Sequence, residues 1–167
     1  MLEDDVDAVT MSWIIRAIYQ MVDSCENTPI HIIINTYGGG AYQMFALYDA
    51  IRQSPCEVIT YGIGAVMSAG TMLFLAGDRR VVYPNTTFMF HSIASGTAGK
   101  LFEMKIDETE TERVWDRCLN IYADRTNQSA KWWKKKLEFK DWFYDIEDLK
   151  EFNIATDELP ENKLFLD

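Results

Sequence analysis

Ser68 stands in the run Gly64-Ala65-Val66-Met67-Ser68-Ala69-Gly70, four residues after one glycine and two before another. This spacing resembles a nucleophile turn, where a serine hydroxyl is exposed at a helix start and the next backbone N–H helps hold an oxyanion. His91 directly follows the apolar run Thr87-Phe88-Met89-Phe90. A base at a strand end is well placed to reach a nucleophile at the end of a neighbouring strand. Each signal has an ordinary counterpart. A serine at a helix start is usually an N-cap, and a lone histidine after an apolar strand is more often a hydrogen-bonded bystander. A second glycine-rich turn, Asn35-Thr36-Tyr37-Gly38-Gly39-Gly40, also follows an apolar run. Glycines let backbone N–H groups face a ligand, and a following helix adds its positive dipole end. Neither turn is a phosphate loop: the Gly-Lys pair Gly99-Lys100 is followed by Leu101, not Ser or Thr. Any ATP hydrolysis is therefore expected of another protein.

The elements that must position these residues follow from periodicity. Met11 to Val22 carries a helical stripe at Ile14, Ile15, Ile18, Met21 and Val22. Asn27-Thr28-Pro29 reads as a turn. Ile30-His31-Ile32-Ile33-Ile34 is a β-branched run of the kind found in buried parallel strands. Helical spacing resumes from Ala41 to Ile51, and Glu57 to Tyr61 reads as a second strand. Gly62 and Gly64 then suggest a break before a helix from Met67 to Ala76, apolar on all sides and so buried all round. Val58 to Gly77 carries no charge and is just long enough for a membrane span, but its four glycines and interspersed hydroxyls favour a buried strand, turn and helix. Arg80 to Tyr83 and Thr87 to Phe90 read as short strands around Pro84-Asn85. One long charged helix runs from Leu101 to about Asp124, with Trp115, Leu119 and Tyr122 on one face, and a last helix runs from about Ile146 to Phe152. Alternating strand, glycine turn and helix imply an α/β class with a mainly parallel sheet.

The chain has 167 residues, enough for one domain, and a net charge of −10, a poor prior for binding nucleic acid or an anionic membrane. The basic run Lys131-Trp132-Trp133-Lys134-Lys135-Lys136 is expected to be a solvated helix face with buried tryptophan. Cys25, Cys56 and Cys118 are odd in number and scattered, which argues against a disulfide framework and fits thiols in a reducing cytosol. No zinc-type spacing of His or Cys is present, so no metal is expected. The acidic N-terminus, Met1-Leu2-Glu3-Asp4-Asp5, is unlike a secretory signal, and cytoplasmic residence is expected.

Ile34-Asn35-Thr36-Tyr37-Gly38-Gly39, Gly64-x-x-x-Ser68-x-Gly70, Pro84-Asn85, Met89-Phe90-His91 and Thr126-Asn127-Gln128-Ser129 occur in this order. Together they resemble the proteolytic-subunit family of the Clp protease, ClpP (peptidase family S14), from about Leu2 to Leu159. The resemblance implies a single ClpP/crotonase-like domain over residues 1–167, with a protruding handle at about 92–128. It implies a serine endopeptidase with Ser68 as nucleophile, His91 as base and Asp141 as the third member. Asp141 lies in Phe139-Lys140-Asp141-Trp142-Phe143, where one extra residue leaves Asp145 as a rival whose simpler role is N-cap of the last helix. The oxyanion would be held by the backbone N–H groups of Gly39 and Ala69. No cofactor is implied. Two stacked seven-membered rings would enclose a chamber that acts on unfolded polypeptides, fed by a separate AAA+ unfoldase such as ClpX or ClpA.

The chain also departs from that family. The family's N-terminal pore segment has no counterpart before Leu2. The acidic-Arg pair before the catalytic Asp is Phe139-Lys140, and Ser92-Ile93 replaces Gln-Pro after the histidine. Lys cannot reproduce an arginine fork. Two other readings are carried forward: a non-catalytic ClpP-like ring subunit, and a crotonase-type acyl-CoA enzyme, which shares the fold and has no need of the Ser–His pair.

Overall fold

The structure, a computed structural model, describes residues 1–23, 28–144, 146–157, 159 and 163–165. Cys25, Asn27 and Asp145 lie outside the described residues. Helix α1 (Ala8–Val22) starts where the Asp7 carboxylate accepts the Thr10 N–H at 2.7 Å. Strand β1 (Ile30–Thr36) leads through Gly38–Gly40 into α2 (Ala41–Arg52). Strand β2 (Val58–Met67) leads into α3 (Ala69–Leu75), every residue of which is buried, as its lack of a polar side requires. The charge-free stretch tested as a membrane span is therefore a strand and a buried helix. Among the described residues no helix is long and apolar enough to cross a membrane.

The sheet is mainly parallel, as expected. Strand β2 pairs in parallel with β1 on one edge. Its other edge is shared in succession by β3 (Arg79–Val82), beside Ile59–Gly62, and β4 (Thr87–Phe90), beside Ala65–Met67. Gly62 and Gly64 do not separate two elements, which corrects the sequence reading. The register on β1 instead slips between Ile34↔Gly62 and Thr36↔Val66, a bulge inside one continuous strand. Gly64 adopts φ +58° there, and the Asn35 side-chain oxygen accepts the Ala65 N–H at 3.0 Å. A Cβ on Gly64 would stand 2.7 Å from that oxygen. The bulge lets β2 change partners from β3 to β4, which brings the carboxyl ends of β2 and β4 together. Ligand sites of parallel sheets form at such ends.

Strand β5 (Trp142–Tyr144), absent from the sequence reading, pairs antiparallel with β4. Helix α4 (Leu101–Arg125) is the long charged helix, and α5 (Ala130–Leu137) and α6 (Ile146–Glu151) follow. Leu119 and Tyr122 are buried in the chain's own core, so they are not available to a second subunit. The exposed apolar side chains of α4 are Leu101, Phe102, Met104 and Ile106, in its outer half. Trp133 of α5 is fully buried while the lysines around it face solvent or its rim, as the acidic balance of the chain suggested. Asn153 ends α6 at φ 55°, a conformation Asn tolerates.

The carbonyls at the C-terminal end of α3 receive three guanidinium groups. Arg125 donates to Leu75 O and Gly77 O, Arg52 to Ala76 O, and the buried Arg80 to Gly77 O. Burial and the neighbouring arginines depress Arg80 to about 10, so it stays charged at neutral pH. Cations suit this end of a helix dipole, and they anchor α3 from below. One further expectation falls. Cys56 is disulfide-bonded, whereas Cys118 is a free buried thiol. Sequence spacing told nothing of which cysteines the fold would bring together.

Candidate active site

Ser68 follows the last residue of β2 and immediately precedes α3, and its N–H donates to Met89 O of β4 at 2.9 Å. Its backbone lies at φ 51°, ψ −123°. For a non-glycine residue this costs on the order of 1–3 kcal/mol and persists only where the surroundings enforce it. Ser68 occupies the N-cap position of α3, but its side chain makes no cap bond to the helix. The Ser68 Oγ lies 2.6 Å from His91 Nε2. His91 directly follows β4, so adjacent parallel strands deliver the pair although it is widely separated in sequence. With Oγ–H donating, Nε2 is the acceptor and Nδ1 carries the ring proton.

The glycine turn after β1 packs directly on this serine. Gly38 adopts φ +107°, and a Cβ there would stand 2.6 Å from Ser68 Cβ and 2.9 Å from Met67 O. Its N–H donates to Thr36 Oγ1, and the Gly40 N–H donates to Val6 O. Among the described residues the Gly39 N–H between them makes no hydrogen bond. Ala69 is the first residue of α3, so its N–H has no acceptor within the helix. Gly39, Ala69, Ser68 and His91 all line one cleft of about 240 Å³. The structure thus gathers four of the five sequence-predicted site residues.

Met44, Met72, Ile93, Trp115 and Cys118 supply the apolar walls of this cleft, together with the ring of Tyr122. Sequence reasoning missed these walls, although Trp115, Cys118 and Tyr122 recur at helical spacing on α4. Burial pushes the Cys118 thiol up to about 12, so it is no competing thiolate nucleophile.

Asp141 is placed differently. The β4–β5 ladder pairs Phe88↔Tyr144, Met89↔Phe143 and Phe90↔Trp142 and ends there, with His91 next after Phe90 and Asp141 next before Trp142. Yet Asp141 is exposed, and among the described residues no hydrogen bond joins its carboxylate to His91. Asp141 and His91 thus adjoin the same end of the ladder, and the Asp141 carboxylate is not engaged with His91.

Chemically, the assembled groups fit acyl transfer: a nucleophile bonded to a base, two backbone donors beside it, and an apolar cleft for a side chain of the acyl portion. Comparison with known proteins agrees. The sequence matches the Clp protease family over residues 1–157. It is 31% identical over 153 residues to the ATP-dependent Clp protease proteolytic subunit of Bdellovibrio bacteriovorus, covering 89% of this chain and 71% of that one. It is 30% identical over 152 residues to proteolytic subunit 2 of Prochlorococcus marinus subsp. pastoris, covering 89% and 74%. A solved structure of a ClpP1 mutant from Listeria monocytogenes superposes with a TM-score of 0.86 at 24% identity, covering 96% of this chain and 90% of that one. At that identity the structural match speaks for the α/β, ClpP/crotonase-like fold.

Proposed function

We propose that this chain, which belongs to the Clp protease family, is a catalytically active serine endopeptidase that cleaves unfolded polypeptides. The observation that carries this reading is the 2.6 Å bond between Ser68 Oγ and His91 Nε2, with Ser68 held in a strained turn. Neither a non-catalytic ring subunit nor an acyl-CoA enzyme of the crotonase type has use for that pair.

In this reading Ser68 Oγ attacks the scissile carbonyl carbon and its proton passes to His91 Nε2. The carbonyl oxygen, now an oxyanion, accepts the Gly39 and Ala69 N–H groups. Collapse of the tetrahedral species breaks the C–N bond, and His91 returns the proton to the departing amine. Water then repeats the sequence on the acyl-enzyme and frees Ser68. Asp141 is the third member: from its place at the end of the β4–β5 ladder its carboxylate turns toward His91 and accepts Nδ1–H, holding the tautomer and stabilising the imidazolium. The apolar walls favour an uncharged, apolar side chain next to the cut bond.

The reading includes assembly into seven-membered rings stacked in pairs, with polypeptide delivered by an AAA+ unfoldase. The exposed Leu101, Phe102, Met104 and Ile106 on the outer half of α4 support a contact with another subunit there. Incubation with a fluorophosphonate, followed by mapping of the modified residue, tests the chemistry. Modification of Ser68 is the expected result, and peptide hydrolysis by a chain that resists the reagent would sink the reading. A second test is Gly38→Ala. The added Cβ meets backbone and the Ser68 Cβ, neither of which can yield cheaply, at a φ that alanine rarely adopts. Turnover is expected to drop on the order of 100-fold, because a misplacement of about 1 Å at the reacting atoms costs that much. Unchanged kinetics in Gly38→Ala would show that the two turns do not define the site.

A further inference from the structure

We propose that Tyr122, on the inner half of α4, is a positioning residue that holds both the nucleophile and the base of the active site; this rests on the peptidase reading above. Its phenol is buried, and its Oη lies 3.0 Å from Thr71 Oγ1. Thr71 Oγ1 in turn donates to the Ser68 carbonyl at 2.7 Å, and the Thr71 N–H reaches the same carbonyl at 3.0 Å. Thr71 has one hydroxyl proton, and Ser68 O receives it. Tyr122 is therefore the donor of the first bond, in a relay Tyr122 Oη–H → Thr71 Oγ1–H → Ser68 O. Burial raises the Tyr122 phenol well above its ordinary range, so it remains a donor across the working pH. Donation to Thr71 polarises the threonine hydroxyl and strengthens its bond to Ser68, as hydrogen bonds in series do.

The relay acts on the residue whose backbone is strained. A residue at φ 51° stays there only if its peptide groups are tied on both sides. Met89 O takes the Ser68 N–H, and Thr71 takes the Ser68 carbonyl. Tyr122 backs the second tie from a different helix. The same ring supports the base: its centroid lies 5.6 Å from that of Phe90, the residue before His91, and 4.9 Å from Trp133, which itself stacks on Phe90 at 5.2 Å. One side chain of α4 thus touches the supports of Ser68 and His91 at once.

The test compares kinetics, labelling and melting of four variants of the full chain with wild type. Tyr122→Phe keeps the ring and removes only the donor. It is expected to lower kcat about tenfold with KM within about twofold, to slow fluorophosphonate labelling of Ser68 by the same factor, and to leave melting within a few degrees. Thr71→Val is expected to lose at least as much, Thr71→Ser to keep near wild-type kcat, and Tyr122→Phe combined with Thr71→Val to be no slower than Thr71→Val alone, because the two act in series. A Tyr122→Phe enzyme within twofold of wild-type kcat overturns the relay, as do losses that multiply in the double variant. If Tyr122→Phe fails to fold, the Thr71→Ser and Thr71→Val pair decides: equal losses overturn the relay. Ser68→Ala, assayed beside them, separates the levels. Hydrolysis surviving Ser68→Ala removes the peptidase reading and the relay with it, whereas its loss there beside an unaffected Tyr122→Phe removes the relay alone.

Discussion

Ser68→Ala is expected to lower peptide hydrolysis on the order of 10⁶-fold while leaving the fold intact. Loss of a triad serine removes covalent catalysis altogether, and what remains is the modest acceleration from substrate binding and the oxyanion donors. The structural cost is small for a specific reason. The Cβ of Ser68, against which Gly38 packs, is retained. The backbone bonds that hold the strained turn, Ser68 N–H to Met89 O and Thr71 to Ser68 O, are also retained. Only Oγ is lost, and its partner is the half-buried His91 in the wall of the cleft. Turnover of a fluorogenic peptide and a melting curve on the same preparation check both halves. A variant that keeps more than a tenth of wild-type hydrolysis would refute Ser68 as nucleophile, whatever its geometry.

Asp141→Asn is expected to cut turnover on the order of 10⁴-fold, the penalty for presenting His91 with a group that favours the wrong tautomer. The expectation rests on register, because His91 and Asp141 each adjoin the terminal Phe90↔Trp142 pair of the β4–β5 ladder. Asp145, the rival, directly precedes α6 in sequence, where an aspartate caps a helix. Asn serves a cap as well as Asp, so Asp145→Asn is expected to keep wild-type activity, and Asp145→Ala to cost about 1 kcal/mol of stability with the chemistry spared. Hydrolysis and thermal melting of the three variants decide the matter. Loss of turnover in Asp145→Asn with Asp141→Asn unaffected would mean that the extra residue before Asp141 shifts the register, and that the third member is Asp145.

Much of the fold was legible in the chain because the relevant signals are local. The β-branched run of β1, the all-apolar α3 and the long charged α4 each carry their own periodicity within a few turns or residues. The glycines of the 38–40 turn mark a place where side chains cannot fit, and the structure shows the Ser68 Cβ and the Val6 backbone occupying that space. Where the reading failed, the deciding force was not local. Gly62 and Gly64 look like a break in isolation, but pairing on both edges of β2 carries the strand through them as a bulge. Trp142 to Tyr144 is too short to announce a strand, and only the free edge of β4 makes it one. Leu119 and Tyr122 form an apolar face that could equally meet a second subunit, and packing on Phe90 and Trp133 directs Tyr122 inward.

The sequence by itself determined which groups are present for chemistry: a serine framed by glycines, a histidine at a strand end, backbone donors left free by small residues, and an ordered set of motifs specific enough to identify the family. The tertiary structure alone decided their distances. Ser68 meets His91 because parallel pairing of β2 with β4 aligns two strand ends, and Asp141 adjoins the end of the β4–β5 ladder beside His91 because β5 runs antiparallel in one particular register. Register is a property of two segments at once, set by the sum of many weak contacts across the sheet. No window of sequence along a single segment contains it.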